Sequence, residues 1–351
     1  MAARTRSKSD TVILIRLSAL GDVAMTVPAV YDLCRAYPHK TFVLVTRSWM
    51  KALMAEKPHN LVVEGFEPKN YKNLAGLHRF FQELKKKYNP EAFIDLHDVL
   101  RTKVLRSLMR VSGVKTSVIN KGRRSKKKLV KLGAQKYCRT FGTTLPTTID
   151  RYRDAIRRAG YDAPERFESL FAGSTPTPTG VFRVGIAPFA AHTGKVYPLS
   201  LMEQVVDALT QRPDVEIYLF GAGASETATL DAWVKGRKKV INMAAAKAGL
   251  GAELKLMSQL DVMVAMDSGN MHMAGLAGTP HIVSVWGATH PSAGFSPWKP
   301  EKTECIGVEM DCRPCSVYGN KPCRFGDYRC LASIQPDRII ESVLKHLKNN
   351  G

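Results

Sequence analysis

A chain of 351 residues is too long for one ordinary hydrophobic core and suits two domains. Its 44% hydrophobic and 24% charged residues are ordinary for a globular protein, and no apolar run approaches the roughly 18 residues of a membrane-crossing helix. Against 31 Asp and Glu stand 52 Lys and Arg, a net charge of +21 that suits an anionic partner: nucleic acid, an anionic membrane or a phosphorylated substrate.

The N-terminus is basic (Arg4, Arg6, Lys8) and then turns apolar, as a signal peptide would. Arg16 and Asp22 interrupt the apolar run and no small-residue cleavage site closes it, so it reads as a buried strand and the protein as cytoplasmic. Thr11–Leu17 (TVILIRL) is an apolar, β-branched run, the pattern of a strand covered on both faces. Ser18–Asp22 is a loop, and Val23–Tyr37 has helical spacing with Pro28 near its start. Strands follow at Thr41–Thr46 and Leu61–Gly65, an amphipathic helix at Leu74–Tyr88 and a further strand at Ala92–Leu96. Gly173–Gly180 (GSTPTPTG) is a linker by composition. Beyond it, five strand candidates (Arg183–Pro188, Glu216–Phe220, Val240–Asn242, Val262–Met266, His281–Trp286) alternate with helical segments such as Leu201–Leu209 and Ala252–Leu260.

This alternation predicts α/β architecture: two Rossmann-like, doubly wound domains facing an interdomain cleft, with ligands at the strands' C-terminal edges. The boundaries are residues 1–172 for the first domain, 173–180 for the hinge and 181–351 for the second. The last helix, Pro336–Asn349, is a candidate to pack back on the first domain.

Charge is uneven. Between Val99 and Ile149 there are 14 Lys and Arg and no acid, two thirds of the whole excess. Within it, Lys121–Lys131 (KGRRSKKKLVK) is either a solvated loop or an adsorbing patch for an anionic surface. Of seven cysteines, Cys312, Cys315, Cys323 and Cys330 are spaced C-x2-C-x7-C-x6-C, which suits either a zinc knot or a reduced, partly buried cluster.

Two loops carry the chemistry. Leu17–Asp22 follows the first strand and opens the first helix. Asp22 there caps the helix or acts as a general base, and Gly21 lets a substrate approach the backbone. Met266–His272 (MDSGNMH) again joins a strand to a helix. Ser268, Gly269 and Asn270 put N–H groups at a helix N-terminus, a seat for phosphate, with His272 on the first turn. The turn Gly287–Pro291, bearing Thr289, follows the next strand on the same edge. Lys195 is either a phosphate-neutralising or a solvated lysine, and Glu226 either a ribose acceptor or a first-turn helix residue. Arg101 and Arg106 are candidates for acceptor phosphate or carboxylate.

The segments ILIRLSALGDVAMTVPAV (Ile13–Val30) and AMDSGNMHMAGLAGTPHIVSVWGATHP (Ala265–Pro291) resemble the two signatures of glycosyltransferase family 9, the ADP-heptose:lipopolysaccharide heptosyltransferases. The likeness runs from about Thr11 to Ile340, nearly the whole chain. It implies a GT-B fold and an inverting single displacement that moves a heptose or related sugar to the lipopolysaccharide inner core. By motif position, Asp22 matches the base, and Lys195, Glu226, Asp267, Ser268, Gly269, His272 and, on the neighbouring turn, Thr289 match the donor side. Ser18, Gly21, Arg101 and Arg106 are assigned to the acceptor. No metal and no cofactor are implied. The partners implied are ADP-heptose, an anionic lipid-linked saccharide and the inner leaflet of the cytoplasmic membrane, not nucleic acid. The sequence departs from the family at Asn270 after DSG, at Tyr197 where tryptophan is usual, and at Ala288 and His290. Two rival readings remain: a nicotinamide-dependent oxidoreductase, which lacks a Gly-rich fingerprint here, and a basic RNA-binding protein, which lacks interleaved aromatics.

Overall fold

The structure is a computed structural model and describes residues 10–172 and 180–348. Arg4, Arg6 and Lys8, nearly all of the linker, and the last residue assigned to the final helix lie outside the described residues. The chain divides into two compact units, Met1–Lys121 with Thr148–Phe167, and Gly122–Thr147 with Glu168–Gly351.

The first unit runs β1 (Thr11–Ile15), α1 (Leu20–Ala24), α2 (Val27–Ala36), β2 (Thr41–Arg47), β3 (Leu61–Phe66), α3 (Leu74–Tyr88), β4 (Ala92–Asp95), α4 (Leu100–Val111) and β5 (Lys115–Val118). The chain then forms α5 (Arg123–Leu132) and α6 (Ala134–Phe141) in the second unit and returns as α7 (Thr148–Arg158). The sheet is wholly parallel, in the order β3-β2-β1-β4-β5. β1 is central because its residues from Val12 to Ile15 are all buried, and Ile13 sits in register with Val43 and Phe93. Helix α3 starts at Asn73, whose side chain accepts from the Gly76 N–H at 2.9 Å, and buries Leu77, Phe80, Phe81 and Leu84 on one face.

The second unit continues with β6 (Phe182–Ala187), α8 (Leu199–Thr210), β7 (Val215–Leu219), α9 (Gly223–Val234), β8 (Val240–Asn242), α10 (Met243–Ala246), α11 (Leu250–Met257), β9 (Val262–Met266) and α12 (Gly269–Ala277). It closes with β10 (His281–Val285), β11 (Thr303–Ile306), α13 (Arg329–Ala332) and α14 (Pro336–Lys348). Its parallel sheet has the order β11-β10-β9-β6-β7-β8. Val184, Ile186, Val262, Val264, Val283 and Val285 share its core with the helices' apolar faces.

The structure departs from the sequence reading in several places. The single helix at Val23–Tyr37 is two, α1 and α2. Pro28 sits in the first turn of α2, where its missing N–H costs nothing, whereas a continuous helix would need that N–H bonded to the Ala24 carbonyl. Edge strands β5 (KTSV) and β11 (TECI) were not anticipated, since polar residues interrupt both. Residues 122–147 join the second unit through contacts distant in sequence. Leu145 N–H donates to the Ser292 carbonyl at 3.2 Å, and the Lys126 ammonium lies 3.8 Å from the Phe295 ring centroid. Helix α14 packs on α8, β9, β10 and β11 of its own unit, with Ile339, Val343 and Leu347 buried.

Candidate active site

In open α/β sheets a crevice forms where strand order reverses, beyond the strands' C-terminal ends. In the first unit the reversal lies between β1 and β4. The loop after β1 holds Asp22 in the first turn of α1, and its Oδ2 accepts from the Ala19 N–H at 3.3 Å. The helix-capping geometry is therefore present. The same oxygen meets the Arg16 guanidinium at 2.5 Å, with the Asp22 side chain 30% exposed and Arg16 buried. Arg16 also donates to the Leu96 carbonyl at 2.8 Å, spanning both strands of the switch point. Tyr152 of α7 is buried and donates to the Asp22 carbonyl at 3.0 Å, and burial raises its phenol well above the ordinary range. Asp22 is thus fixed from both sides while its carboxylate reaches solvent.

After β4, His97 is buried, and its Nδ1 stands 3.4 Å from the Leu17 N–H. Burial, then the cations Arg16 and Lys121, push its imidazole down to about 3. It stays neutral at ordinary pH. Fully buried Asp95 accepts from the His97 and Asp98 N–H groups and from Arg106 at 2.6 Å, and Arg106 lies 3.6 Å from Asp98. Arg106 is therefore committed to two internal carboxylates. Arg101, exposed on the first turn of α4, makes no ion pair with a described residue. Ser18 and Gly21 are half-buried in the β1–α1 connection. Sequence reading treated Arg16 only as a break in an apolar run. The single available signal was an arginine in the middle of a buried strand exit.

In the second unit the reversal lies between β6 and β9. The loop after β6 brings in Lys195, and the loop after β9 brings in Asp267. Their side chains meet at 2.9 Å and are 16% and 4% exposed. Thr289, from the turn after β10, donates to the same Asp267 oxygen at 2.7 Å. Close backbone packing locks the Lys195 loop to the turn after β10 and to the segment holding Gly319. Ala288 N–H donates to the Gly194 carbonyl at 2.8 Å, and a Cβ on Gly194 would stand 2.8 Å from the Gly319 carbonyl oxygen. Gly319 takes φ +75°, and its own added Cβ would lie 2.7 Å from Lys195 Cγ.

Ser268 is the N-cap of α12 in extended backbone, and its buried hydroxyl has no hydrogen-bond partner among the described residues. Gly269 opens the helix and His272 is buried on its first turn. The structure thus gathers Lys195, Asp267 and Thr289, with Ser268 and Gly269 next in chain. Glu226 instead accepts from the Ala222 N–H at 2.7 Å and caps α9. Tyr197 is buried, its hydroxyl donating to the Ile334 carbonyl at 2.6 Å, so it is an internal residue of this unit. Burial, with Arg313 nearby, pushes His290 down to about 4.

The model of glycosyltransferase family 9 (heptosyltransferase) matches residues 77–326, more than half of the chain. The chain belongs to glycosyltransferase family 9. This glycosyltransferase is 23% identical over 340 residues to lipooligosaccharide heptosyltransferase 2 of Campylobacter jejuni subsp. jejuni serotype O:2, covering 94% of this chain and 96% of that one. Its fold matches a family 9 glycosyltransferase from Veillonella parvula with a TM-score of 0.71 at 18% identity, covering 97% of each chain. It also matches E. coli heptosyltransferase WaaC, solved with ADP, at a TM-score of 0.68 and 16% identity, covering 96% of this chain and 99% of that one. The family 9 glycosyltransferase therefore has the GT-B fold, and the oxidoreductase and RNA-binding readings gain no support from these comparisons.

The four clustered cysteines are all free thiols and line one pocket with Phe325 and Tyr328. Among the described residues no three His, Cys, Asp or Glu side chains form a metal-binding group, and no helix is long and apolar enough to cross a membrane.

Proposed function

We propose that this enzyme transfers a heptose from ADP-heptose to the inner core of a lipopolysaccharide-type acceptor, with inversion at the anomeric carbon. The acceptor hydroxyl oxygen bonds to that carbon, the bond to the diphosphate breaks, ADP leaves and Asp22 takes the hydroxyl proton. Supporting the donor assignment are the names of relatives, including a WaaC structure with ADP-2-deoxy-2-fluoro heptose. The single observation that carries the reading is the junction of Lys195, Asp267 and Thr289 at the second unit's switch point, beside the N-terminus of α12.

Lys195 supplies a cation held in place by Asp267. The α12 N–H groups and the unpartnered Ser268 hydroxyl supply donors for the diphosphate oxygens. His272 is placed on the same helix turn, and Glu226 is assigned to the ribose, for which it must leave its cap on Ala222. Arg101, Ser18 and Gly21 are assigned to the acceptor. Arg106 contributes there through Asp95 and Asp98, to which it is bound. The enzyme is placed in the cytoplasm, in peripheral contact with the membrane that carries its acceptor.

Asp22→Asn tests the base. Transfer is expected to fall about 10²–10⁴-fold while ADP binding stays near wild type, and loss of the Arg16 ion pair should lower stability by about 1–3 kcal/mol, read separately by thermal unfolding. Product mass spectrometry with ADP-heptose and a heptose-free core acceptor reads the transfer directly. Near-normal turnover by the variant would remove Asp22 from this role.

A further inference from the structure

The basic stretch that the proposed chemistry leaves unused packs in the second unit as α5 and α6. One face of α5 is internal, with Leu129 and Lys126 buried. The other exposes Arg124, Lys127, Lys128 and Lys131. Lys127, Val130 and Lys131, adjacent on one turn, form one wall of a pocket of about 470 Å³. Ser316, Val317, Tyr318, Asn320 and Lys321 form the other wall. No carboxylate lines this pocket, and Lys127, Lys131 and Lys321 make no ion pair with a described residue.

The walls themselves are largely apolar. Tyr318 is 45% exposed while its ring packs 5.9 Å from that of Phe295. On α6, Phe141 is 40% exposed, with the Lys128 ammonium 4.2 Å from its ring centroid. A second pocket, of about 310 Å³, lies against α6 and offers a contrast. There Lys136, Arg139 and the buried Arg313 share the lining with Glu309 and Asp311, so two carboxylates offset most of the positive charge.

Three unneutralised ammonium groups around an apolar wall suit a ligand that is anionic at one end and apolar at the other. An amphipathic ring such as Tyr318 or Phe141, apolar in body and beside a cation, belongs at a membrane–water interface. We infer that this face of the second unit docks on an anionic phospholipid bilayer, with headgroup phosphates seated among Lys127, Lys131 and Lys321. This deepens the reading of a lipid-linked acceptor. It is tested without donor or acceptor, so its failure leaves the transfer reaction standing.

The assay is cosedimentation of the full chain with vesicles of phosphatidylglycerol in phosphatidylcholine, against phosphatidylcholine alone. Each lysine is worth about fivefold in partitioning, so the combined Lys127→Gln, Lys131→Gln, Lys321→Gln variant is expected to bind about 100-fold more weakly. Wild-type binding should weaken as salt rises past about 0.1 M, where the screening length is about 10 Å. All three lysines are exposed, so the variant's melting temperature should match wild type. The control Lys136→Gln, Arg139→Gln should keep binding within about fivefold, because the neighbouring Glu309 and Asp311 weaken the pull of those cations on an anionic surface. The inference is overturned by equal binding to both vesicle types, by a triple variant that still binds, or by a control variant that loses as much. Tighter binding to a single-stranded RNA, abolished by the same triple substitution, would overturn it in favour of nucleic acid.

Discussion

Replacing Asp267 by asparagine removes one charge and keeps the shape of the side chain. Both of its contacts go to one oxygen: Lys195 Nζ at 2.9 Å and Thr289 Oγ1 at 2.7 Å. The amide oxygen of asparagine can accept from both donors, so the loss is the Coulombic part alone. Removing one member of a buried ion pair costs about 3–5 kcal/mol. Lys195 is 16% exposed and can turn its ammonium to water, which lowers the expected cost to about 2–3 kcal/mol. Asp267→Ala also strands the Thr289 hydroxyl and should cost about 1 kcal/mol more. Urea unfolding of both variants, followed by tryptophan fluorescence, measures these differences. Titration with ADP then separates two roles for the carboxylate. If Asp267 acts by restraining Lys195, it competes with phosphate for that cation, and Asp267→Asn binds ADP at least as tightly as wild type. A stability loss under about 0.5 kcal/mol would refute the weight given to the pair. ADP binding weakened more than about tenfold in a folded variant would place the carboxylate on the ligand instead.

Two further outcomes are expected. Gly319→Ala forces a side chain into φ +75° and against Lys195 Cγ, so it should cost about 1–3 kcal/mol and weaken ADP binding as well, read by thermal unfolding and titration. Unchanged ADP affinity would detach that loop from Lys195. His97 is held down to about 3 in the fold, against about 6.5 unfolded, so the unfolded chain takes the proton first. The stability His97 carries is complete above about pH 6.5 and is lost as pH falls towards about 3, at up to about 1.4 kcal/mol per pH unit. His97→Gln should flatten urea-unfolding stability between about pH 4 and 6, and an unchanged slope there would show that His97 does not titrate this way.

The sequence alone carried the reaction class and most of the strands. Val12–Leu17 and Val262–Met266 are buried on both faces, so a short run made up mostly of apolar residues was sufficient signal, and the two signature loops follow them directly. Helix α3 was legible to its ends because Asn73 and Asn89 mark them chemically. Edge strands β5 and β11 were not, because a strand paired on one side tolerates polar residues and loses its pattern.

Which residues stand together was decided only by the tertiary structure. Lys195, Asp267 and Thr289 lie far apart in the chain, and only the order of the second sheet, with β6 beside β9 and β10, brings their loops to one edge. The same holds for Arg16, which a strand pattern marks as an anomaly and the β1–β4 pairing turns into the anchor of Asp22. Local sequence fixes periodicity and caps because those energies act within one or two turns. Strand order and the partners of buried charges depend on contacts across the whole chain, and for that reason the basic stretch Lys121–Lys131, legible as a loop or adsorbing patch, was recognised neither as helix nor as part of the second unit.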